Sequence, residues 1–175
     1  MSELIRHYQQ QDPVQPGFWE TVLTYPGLHA VFFHRINHWL WQRKFRLLAR
    51  FGSHIARFLT GIEIHPGATL GKKLFIDHGM GIVIGETAVV GNNVTIYHGV
   101  TLGGLGIPAT AGTKRHPNIE DNVILGTGVK ILGNITIGQN CRIAPNCVVM
   151  EDIPANSTVK HYTSQITIKT KTASE

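Results

Sequence analysis

An aliphatic residue recurs at every sixth position through most of the chain between residues 64 and 149. Helices repeat about every 3.6 residues and strands about every two, so neither element alone explains this spacing. A six-residue period is typical of the hexapeptide repeat, in which about three hexapeptides make one triangular coil of a parallel β-helix. We therefore expect one aliphatic residue per side to point inward and to form a buried column. The thirteen positions are Ile64, Leu70, Ile76, Ile84, Val90, Ile96, Leu102, Ile119, Leu125, Ile131, Ile137, Ile143 and Val149.

The period is interrupted in two places. A two-residue offset separates Ile76 from Ile84, and the segment 103–117 has four glycines, two prolines and no six-residue pattern. A β-sandwich of short strands is the alternative fold, but so many positions in register favour the β-helix. A long loop inside so regular a structure is usually functional, which directs attention to 103–117.

The chain divides into three predicted regions. Residues 1–61 form a helical cap, residues 62–159 form the β-helix domain with its loop insertion at 103–117, and residues 160–175 form a tail that is either one strand or disordered. Within the cap, apolar residues at helical spacing predict helices over 27–42 and 45–60. We expect their apolar faces to pack on the first coil and to cover its open sheet edge. The apolar residues in question are Leu28, Val31, Phe32, Ile36, Trp39, Leu40, Leu48, Phe51, Ile55, Phe58 and Leu59.

The first sixteen residues predict an irregular or short helical lead. Asp12 precedes Pro13, a pair that is suited to begin a helix. The N-terminal segment lacks the apolar core of a signal peptide, and no apolar run reaches the roughly 18 residues that span a bilayer. We therefore expect a cytoplasmic protein that does not enter a membrane.

Composition narrows the range of ligands. The formal net charge is +5, and no nucleic-acid-binding motif is present, so we expect no nucleic-acid partner. A polyanionic small ligand such as a nucleotide or coenzyme A suits a modestly basic protein. Cys141 and Cys147 lie six residues apart at equivalent repeat positions, which predicts buried thiols rather than a disulfide.

Histidines supply the candidate chemistry. His78 follows Glu63 by fifteen residues, a little less than one coil of about 18, so the two side chains are expected near one corner. A carboxylate that orients an imidazole is the usual general-base arrangement, although a corner histidine with a satisfied hydrogen bond would give the same pattern. His98 follows His78 by 20 residues, one coil plus the two-residue offset, so it should stack close above, as either a second ligand or a surface residue. A zinc site built from His78, His98 and His116 of neighbouring subunits is a further alternative.

Five segments carry a family resemblance: IHPGA at 64–68, IDHGMGIVIGETA at 76–88, VTLGG at 100–104, KRHP at 114–117 and ILGNI at 131–135. Together they closely resemble serine O-acetyltransferases, which acetylate serine with acetyl-CoA for cysteine synthesis. The hexapeptides are shared with many acyltransferases, whereas the combined Asp-His-Gly, Gly-Glu-Thr and Arg-His-Pro motifs are much more specific. The resemblance implies a left-handed parallel β-helix in a homotrimer, or in a dimer of trimers, with sites between subunits.

The resemblance also implies a role for each matching residue. His78 matches the general base, and Glu63 stands where a carboxylate orients that base. Residues that match the serine-binding positions are Asp12, Asp77, Arg115 and His116. Residues that match the acetyl-CoA-binding positions are Gly104, Thr127 and Arg142. No metal is implied.

Other functions remain open at this point. The acceptor could be another hydroxyl compound, such as a sugar or homoserine, or the β-helix could be a non-catalytic binding module. An acidic and a basic set of side chains together favour an amino-acid zwitterion. The chain ends in Glu175 instead of the isoleucine with which related enzymes dock into O-acetylserine sulfhydrylase, so we expect no stable complex with that enzyme through the tail.

Overall fold

Four helices precede a parallel β-helix in the computed structural model, which describes residues 2–106 and 112–160. The predicted fold class is confirmed. The helices within these residues are α1 Ser2–Gln11, α2 Phe18–Thr24, α3 Pro26–Gln42 and α4 Arg46–Thr60.

The β-helix has three faces, and every strand pairing in it is parallel. Face one contains β1 Glu63–Ile64, β4 Val83–Ile84, β7 Thr101–Gly103, β10 Lys130–Leu132 and β13 Val148–Val149. Face two contains β2 Thr69–Leu70, β5 Val89–Val90, β8 Asn118–Ile119 and β11 Thr136–Ile137. Face three contains β3 Phe75–Asp77, β6 Thr95–Tyr97, β9 Ile124–Leu125, β12 Arg142–Ile143 and β14 Thr158–Val159. The chain runs from face one to face two to face three and then begins the next coil.

The predicted aliphatic column forms the core, and only Leu70 among its thirteen members is partly exposed. The expectation of a single inward residue per side is too low, because a second column lies two positions earlier in each repeat. Side chains two apart on an extended segment point to the same side, so both enter the prism. Buried members of this second column are Ile62, Ala68, Leu74, Ile82, Ala88, Val94, Val100, Val123, Val129, Cys141 and Cys147.

Helices α3 and α4 lie where the pattern predicts them, but their predicted packing faces are not confirmed. On α3, Leu28 and Val31 are buried, whereas the predicted packing residues Phe32, Ile36 and Trp39 are exposed. On α4, the predicted face is wrong. Its buried side chains are the small ones, Ala49, Ser53, Ala56 and Thr60. The large apolar side chains are exposed in the single chain, namely Leu48, Phe51, Ile55, Phe58 and Leu59.

Close approach of the two helices explains the use of small residues on the packed face of α4. A methyl group on Gly52 would lie 2.2 Å from the Asn37 Oδ1 atom. The two helices therefore approach each other closely at Gly52, which has no side chain. Bulky residues on this face would force α4 away from α3 and from β1.

The first helix ends where the sequence predicts the start of a helix. Helix α1 stops at Gln11, and Asp12 follows its C-terminus, while α2 was not predicted. Tyr8 anchors α1 to the open end of the β-helix, because its ring packs edge-on against Phe75 and its hydroxyl accepts a hydrogen bond from the Ile76 N–H at 3.1 Å.

Asparagines stack along the corner between faces two and three. The Nδ2 amide of Asn93 donates to Asn122 Oδ1 at 2.9 Å, that of Asn122 to Asn140 at 3.1 Å, and that of Asn140 to Asn156 at 2.8 Å. All four residues have φ between 54° and 61°. Asparagine tolerates this left-handed conformation better than most residues with a Cβ atom, so the ladder fits the corner.

Some expectations fall outside the described residues, including most of the tail, Glu175 at its end, and positions 107–111 of the loop. Within residues 2–106 and 112–160, none of the helices has the length and apolar character needed to cross a membrane.

His34, in the helical cap, makes the stability of the protein depend on pH. Its side chain is buried on α3, and its Nδ1 atom has no hydrogen-bond partner. Burial is the main cause that lowers the pKa of His34 to about 3, and the nearby His38 lowers it further. The unfolded chain takes up a proton on this group below its ordinary pKa of 6.5, whereas the native chain does not. Stability therefore falls as the pH drops from about 6.5 toward about 3.

We predict that His34→Gln removes part of this pH dependence. Between about pH 7.5 and about pH 5, the wild-type protein should lose about 2 kcal/mol of unfolding free energy through His34 alone. Urea denaturation at both pH values measures the difference for each variant. His54→Gln, which removes an exposed histidine of α4, is the matched control. Equal pH dependence in wild type and His34→Gln would contradict this assignment.

Candidate active site

Several of the candidate residues lie at two different corners of the β-helix. His78, His98 and Thr127 lie between face three and face one, whereas Arg115 and His116 lie between face one and face two. Parallel pairing stacks residues from successive coils at the same corner, which is why positions distant in sequence meet there.

The first group, called here the His78 cluster, consists of Asp12, Tyr25, Asp77, His78 and His98. His78 directly follows β3 with φ of 59°, so its exposed imidazole leaves the corner in a left-handed conformation. The His78 Nε2 atom lies 3.9 Å from Asp77 Oδ1. The rings of His78 and His98 meet edge-to-face with 5.7 Å between centroids, as the coil spacing predicts.

Asp12 joins this cluster from the end of α1. Its Oδ2 atom accepts a short hydrogen bond from the Tyr25 hydroxyl, and its Oδ1 atom accepts one from the Val14 N–H at 2.8 Å. The Tyr25 bond is the main cause that lowers the pKa of Asp12, and the Val14 bond and the charge of His78 lower it further. Burial and then this same bond raise the pKa of Tyr25 to about 12. The sequence did not identify Tyr25 as a functional residue, since it lies at the junction of α2 and α3, which was not predicted.

Glu63 does not contact His78 in the way that the sequence predicts. Its Oε2 atom pairs with Arg57 Nη1 at 2.8 Å, and the carboxylate within 4.0 Å of the imidazole is that of Asp77. The Arg57 side chain is 55% exposed, so this is a surface ion pair of at most about 1 kcal/mol. Because this ion pair is weak, the Glu63 carboxylate can leave Arg57 at little cost in free energy.

The second group, called here the Arg115 cluster, consists of Glu86, Thr87, Lys114, Arg115 and His116. The loop returns here and lies across the corner formed by Glu86 and Thr87. Arg115 Nη2 pairs with Glu86 Oε2 at 3.3 Å, and the Lys114 ammonium donates to the Thr87 carbonyl. Burial lowers the pKa of His116, and the adjacent Arg115 lowers it further. His116 is therefore a neutral partner beside a cation.

The three coenzyme candidates are spread over the molecule. Gly104 lies at the start of the loop, close to the Arg115 carbonyl. Thr127 is half-buried at the corner between face three and face one. Arg142 is exposed on face three, at a polar recess of about 300 Å³. A single chain does not bring these three residues together.

The zinc alternative needs three ligands around one point. Among the described residues, no group of three histidine, cysteine, aspartate or glutamate side chains could hold a metal ion. His116 lies at a different corner from His78 and His98 within one chain, so the three do not converge there.

Comparisons with known proteins give the family. A model described as bacterial transferase hexapeptide (six repeats) matches residues 116–150. The serine acetyltransferase of Mycobacterium tuberculosis is 52% identical over 93% of this chain and 69% of its own length. This chain belongs to the serine acetyltransferase family.

Two solved serine acetyltransferases share its fold. The Neisseria gonorrhoeae enzyme in complex with serine superposes with a TM-score of 0.83 at 41% identity, covering 92% of this chain and 66% of that one. The Brucella abortus strain S19 enzyme in complex with coenzyme A gives a TM-score of 0.82 at 42% identity, covering 90% and 63%. The chain thus spans slightly less than two thirds of either solved protein.

We predict that Tyr25→Phe raises the pKa of Asp12 toward its ordinary value, because the variant loses the strongest hydrogen bond to the carboxylate while keeping the aromatic ring. Carboxyl NMR titration measures this directly. Asp121 is an internal reference, since hydrogen bonds from Asn92 lower its pKa at another corner and the substitution should leave them intact. An unchanged Asp12 titration would mean that the Tyr25 contact does not determine the pKa of Asp12.

Proposed function

We propose that this protein is a serine O-acetyltransferase, which transfers the acetyl group of acetyl-CoA to the serine hydroxyl for cysteine synthesis. The observation that carries the proposal is the separation of charge between the two clusters. The His78 cluster contributes two carboxylates beside an imidazole, and the Arg115 cluster contributes a guanidinium beside a neutral imidazole. A zwitterionic acceptor with a hydroxyl group needs all of these.

Each side chain then has a defined task. Asp12 and Asp77 bind the serine ammonium group, and Arg115 and His116 bind its carboxylate. With serine fixed at both ends, its hydroxyl group is directed at His78. The lowered pKa of Asp12 supports this assignment, because the group stays ionised and able to attract an ammonium ion.

The reaction requires one proton to move twice. His78 accepts the hydroxyl proton as the serine oxygen attacks the thioester carbonyl. A backbone N–H near Gly104 stabilises the tetrahedral oxyanion. Collapse of the intermediate breaks the carbon–sulfur bond, and His78 returns the proton to the departing thiolate. Asp77, and Glu63 when it is released from Arg57, stabilise the imidazolium that forms between these steps.

In this proposal, two subunits supply the two clusters. The clusters lie at different corners of one prism, which supports a site shared between neighbouring subunits. In a homotrimer of prisms, the His78 corner of one subunit faces the Arg115 corner of the next, and three equivalent sites form. The separation of Gly104 from Thr127 supports the same arrangement for acetyl-CoA.

A direct assay tests the proposed activity. Thiol release from acetyl-CoA should require serine and should be much slower with homoserine or with a panel of sugars. Preference for a sugar would refute the serine assignment, and no release with any acceptor would refute the acyltransferase assignment.

We predict that His78→Ala lowers kcat by about 10²–10⁴-fold, which is the usual contribution of a general base. Glu63→Gln should have a smaller effect, because the imidazole and Asp77 remain. Steady-state kinetics, with size-exclusion chromatography to verify the assembly, provide the measurement. Turnover close to wild type in His78→Ala would eliminate His78 as the base.

We further predict that two inactive variants restore activity when they assemble together. His78→Ala and Arg115→Ala damage opposite halves of a shared site, so every mixed trimer keeps one intact site among three. Trimers purified through a different tag on each variant should reach about one third of wild-type activity.

The matched control is a mixed trimer of two single variants, His78→Ala and Asp77→Ala. Both changes damage the same corner, so no mixed trimer of this pair contains an intact site. If His78→Ala with Arg115→Ala is as inactive as this control, the site is not shared between subunits.

A further inference from the structure

Thr87 has no assigned role in the reaction, yet it makes most of the contacts that hold the end of the loop. Its Oγ1 atom accepts hydrogen bonds from the N–H groups of Arg115 at 3.0 Å and of His116 at 3.1 Å. The same oxygen lies 2.9 Å from His116 Nδ1. The Thr87 N–H donates to that ring nitrogen at 3.1 Å.

Hydrogen-bond valence fixes the proton positions in this network. A hydroxyl group has one proton and two lone pairs. Both lone pairs of Thr87 Oγ1 are used by the two backbone N–H groups, so its proton points to His116 Nδ1. That nitrogen also receives the Thr87 N–H, so it must be unprotonated, and its single lone pair is shared between the two donors. The neutral His116 ring therefore carries its proton on Nε2.

Gly85 holds the ring from the other side. A methyl group at this position would lie 2.1 Å from His116 Cδ2 and 2.2 Å from Nε2, so the imidazole lies directly against the Gly85 backbone. Among the described residues, no protein group bonds to His116 Nε2, which leaves this N–H for a ligand.

We infer that Thr87 is a positioning residue for the acceptor carboxylate: its hydroxyl group fixes the backbone of Arg115 and His116 and sets His116 as an Nε2–H donor. This inference rests on the proposed function for the identity of the acceptor. The acceptor carboxylate would then be bound by the charge of Arg115 and by a hydrogen bond from the neutral His116 ring.

Substitution of the hydroxyl group tests the inference. Thr87→Val keeps the shape of the side chain but leaves two backbone N–H groups without an acceptor. We expect the KM for serine to rise about tenfold or more, with the KM for acetyl-CoA changed far less. Thr87→Ser keeps the oxygen and should restore near-wild-type kinetics. Thr136→Val makes the same chemical change on face two, away from both clusters, and should have no effect.

A second readout does not depend on activity. In protein labelled with ¹⁵N-histidine, the His116 ring signals, identified with His116→Asn, should show an unprotonated Nδ1. These signals should shift in Thr87→Val and stay in place in Thr87→Ser. Thr87→Ala provides the same loss of the hydroxyl group if the valine variant does not fold.

The outcomes separate the two proposals. A wild-type protein that is inactive with serine would refute the proposed function, while the ring signals would still show whether Thr87 holds His116. A Thr87→Val variant with unchanged serine KM and unchanged ring signals would overturn the inference. An equal rise in both KM values, shared by Thr87→Ser, would also overturn it, because that pattern indicates general destabilisation.

Discussion

Parallel hydrogen bonding between successive coils determines the position of the candidate functional residues that lie within the β-helix. Each coil repeats the direction and register of the one below, so a residue at a corner lies above its counterpart from the previous coil. The faces are made of two- and three-residue strands, which offer little independent stability. The two aliphatic columns supply that stability by filling the prism, and the outward-facing positions are then free to carry polar groups.

Coil length shows where the protein departs from this constraint. Val83 pairs with Thr101, which gives a coil of 18 residues. The coil from Glu63 to Val83 has 20, and its two extra residues lie between Asp77 and Met80, at the corner that holds His78. The coil from Thr101 to Lys130 has 29, and its eleven extra residues form the loop that ends in the Arg115 cluster. Both long coils place their additional residues at corners, so the candidate site is built where extra residues leave the pairing undisturbed.

The six-residue period predicts the architecture because an inward aliphatic residue is required on every side of every coil. The two-residue offset after Ile76 predicts the stacking of His78 and His98, because it lengthens that coil to 20 residues. The packed face of α4 was not predictable from hydrophobicity, because the close approach of α3 at Gly52 selects small residues over large ones. The ion pair between Glu63 and Arg57 was also not predictable, since the spacing of Glu63 from His78 carries no information about Arg57 on the neighbouring helix.

The contacts of Thr87 show a different limit of sequence reasoning. Its motif was visible, but a hydroxyl group that accepts two backbone N–H groups from a segment nearly thirty residues away requires three-dimensional information. The same applies to Tyr25, whose contact with Asp12 depends on how α1 returns toward α3. In both cases the residue acts on a neighbour, so its own sequence position suggests no chemistry.

The asparagine ladder on the remaining corner has a consequence for chemical ageing. The side-chain amides of Asn93, Asn122 and Asn140 point the same way, each donating to the oxygen of the asparagine in the next coil. Deamidation of Asn122 would leave a carboxylate that still accepts from Asn93 but can no longer donate to Asn140. The lesion would thus strengthen the contact on its N-terminal side and abolish the one on its C-terminal side. Age-related damage at this corner would accordingly loosen the later coils of the prism and spare the earlier ones that carry His78.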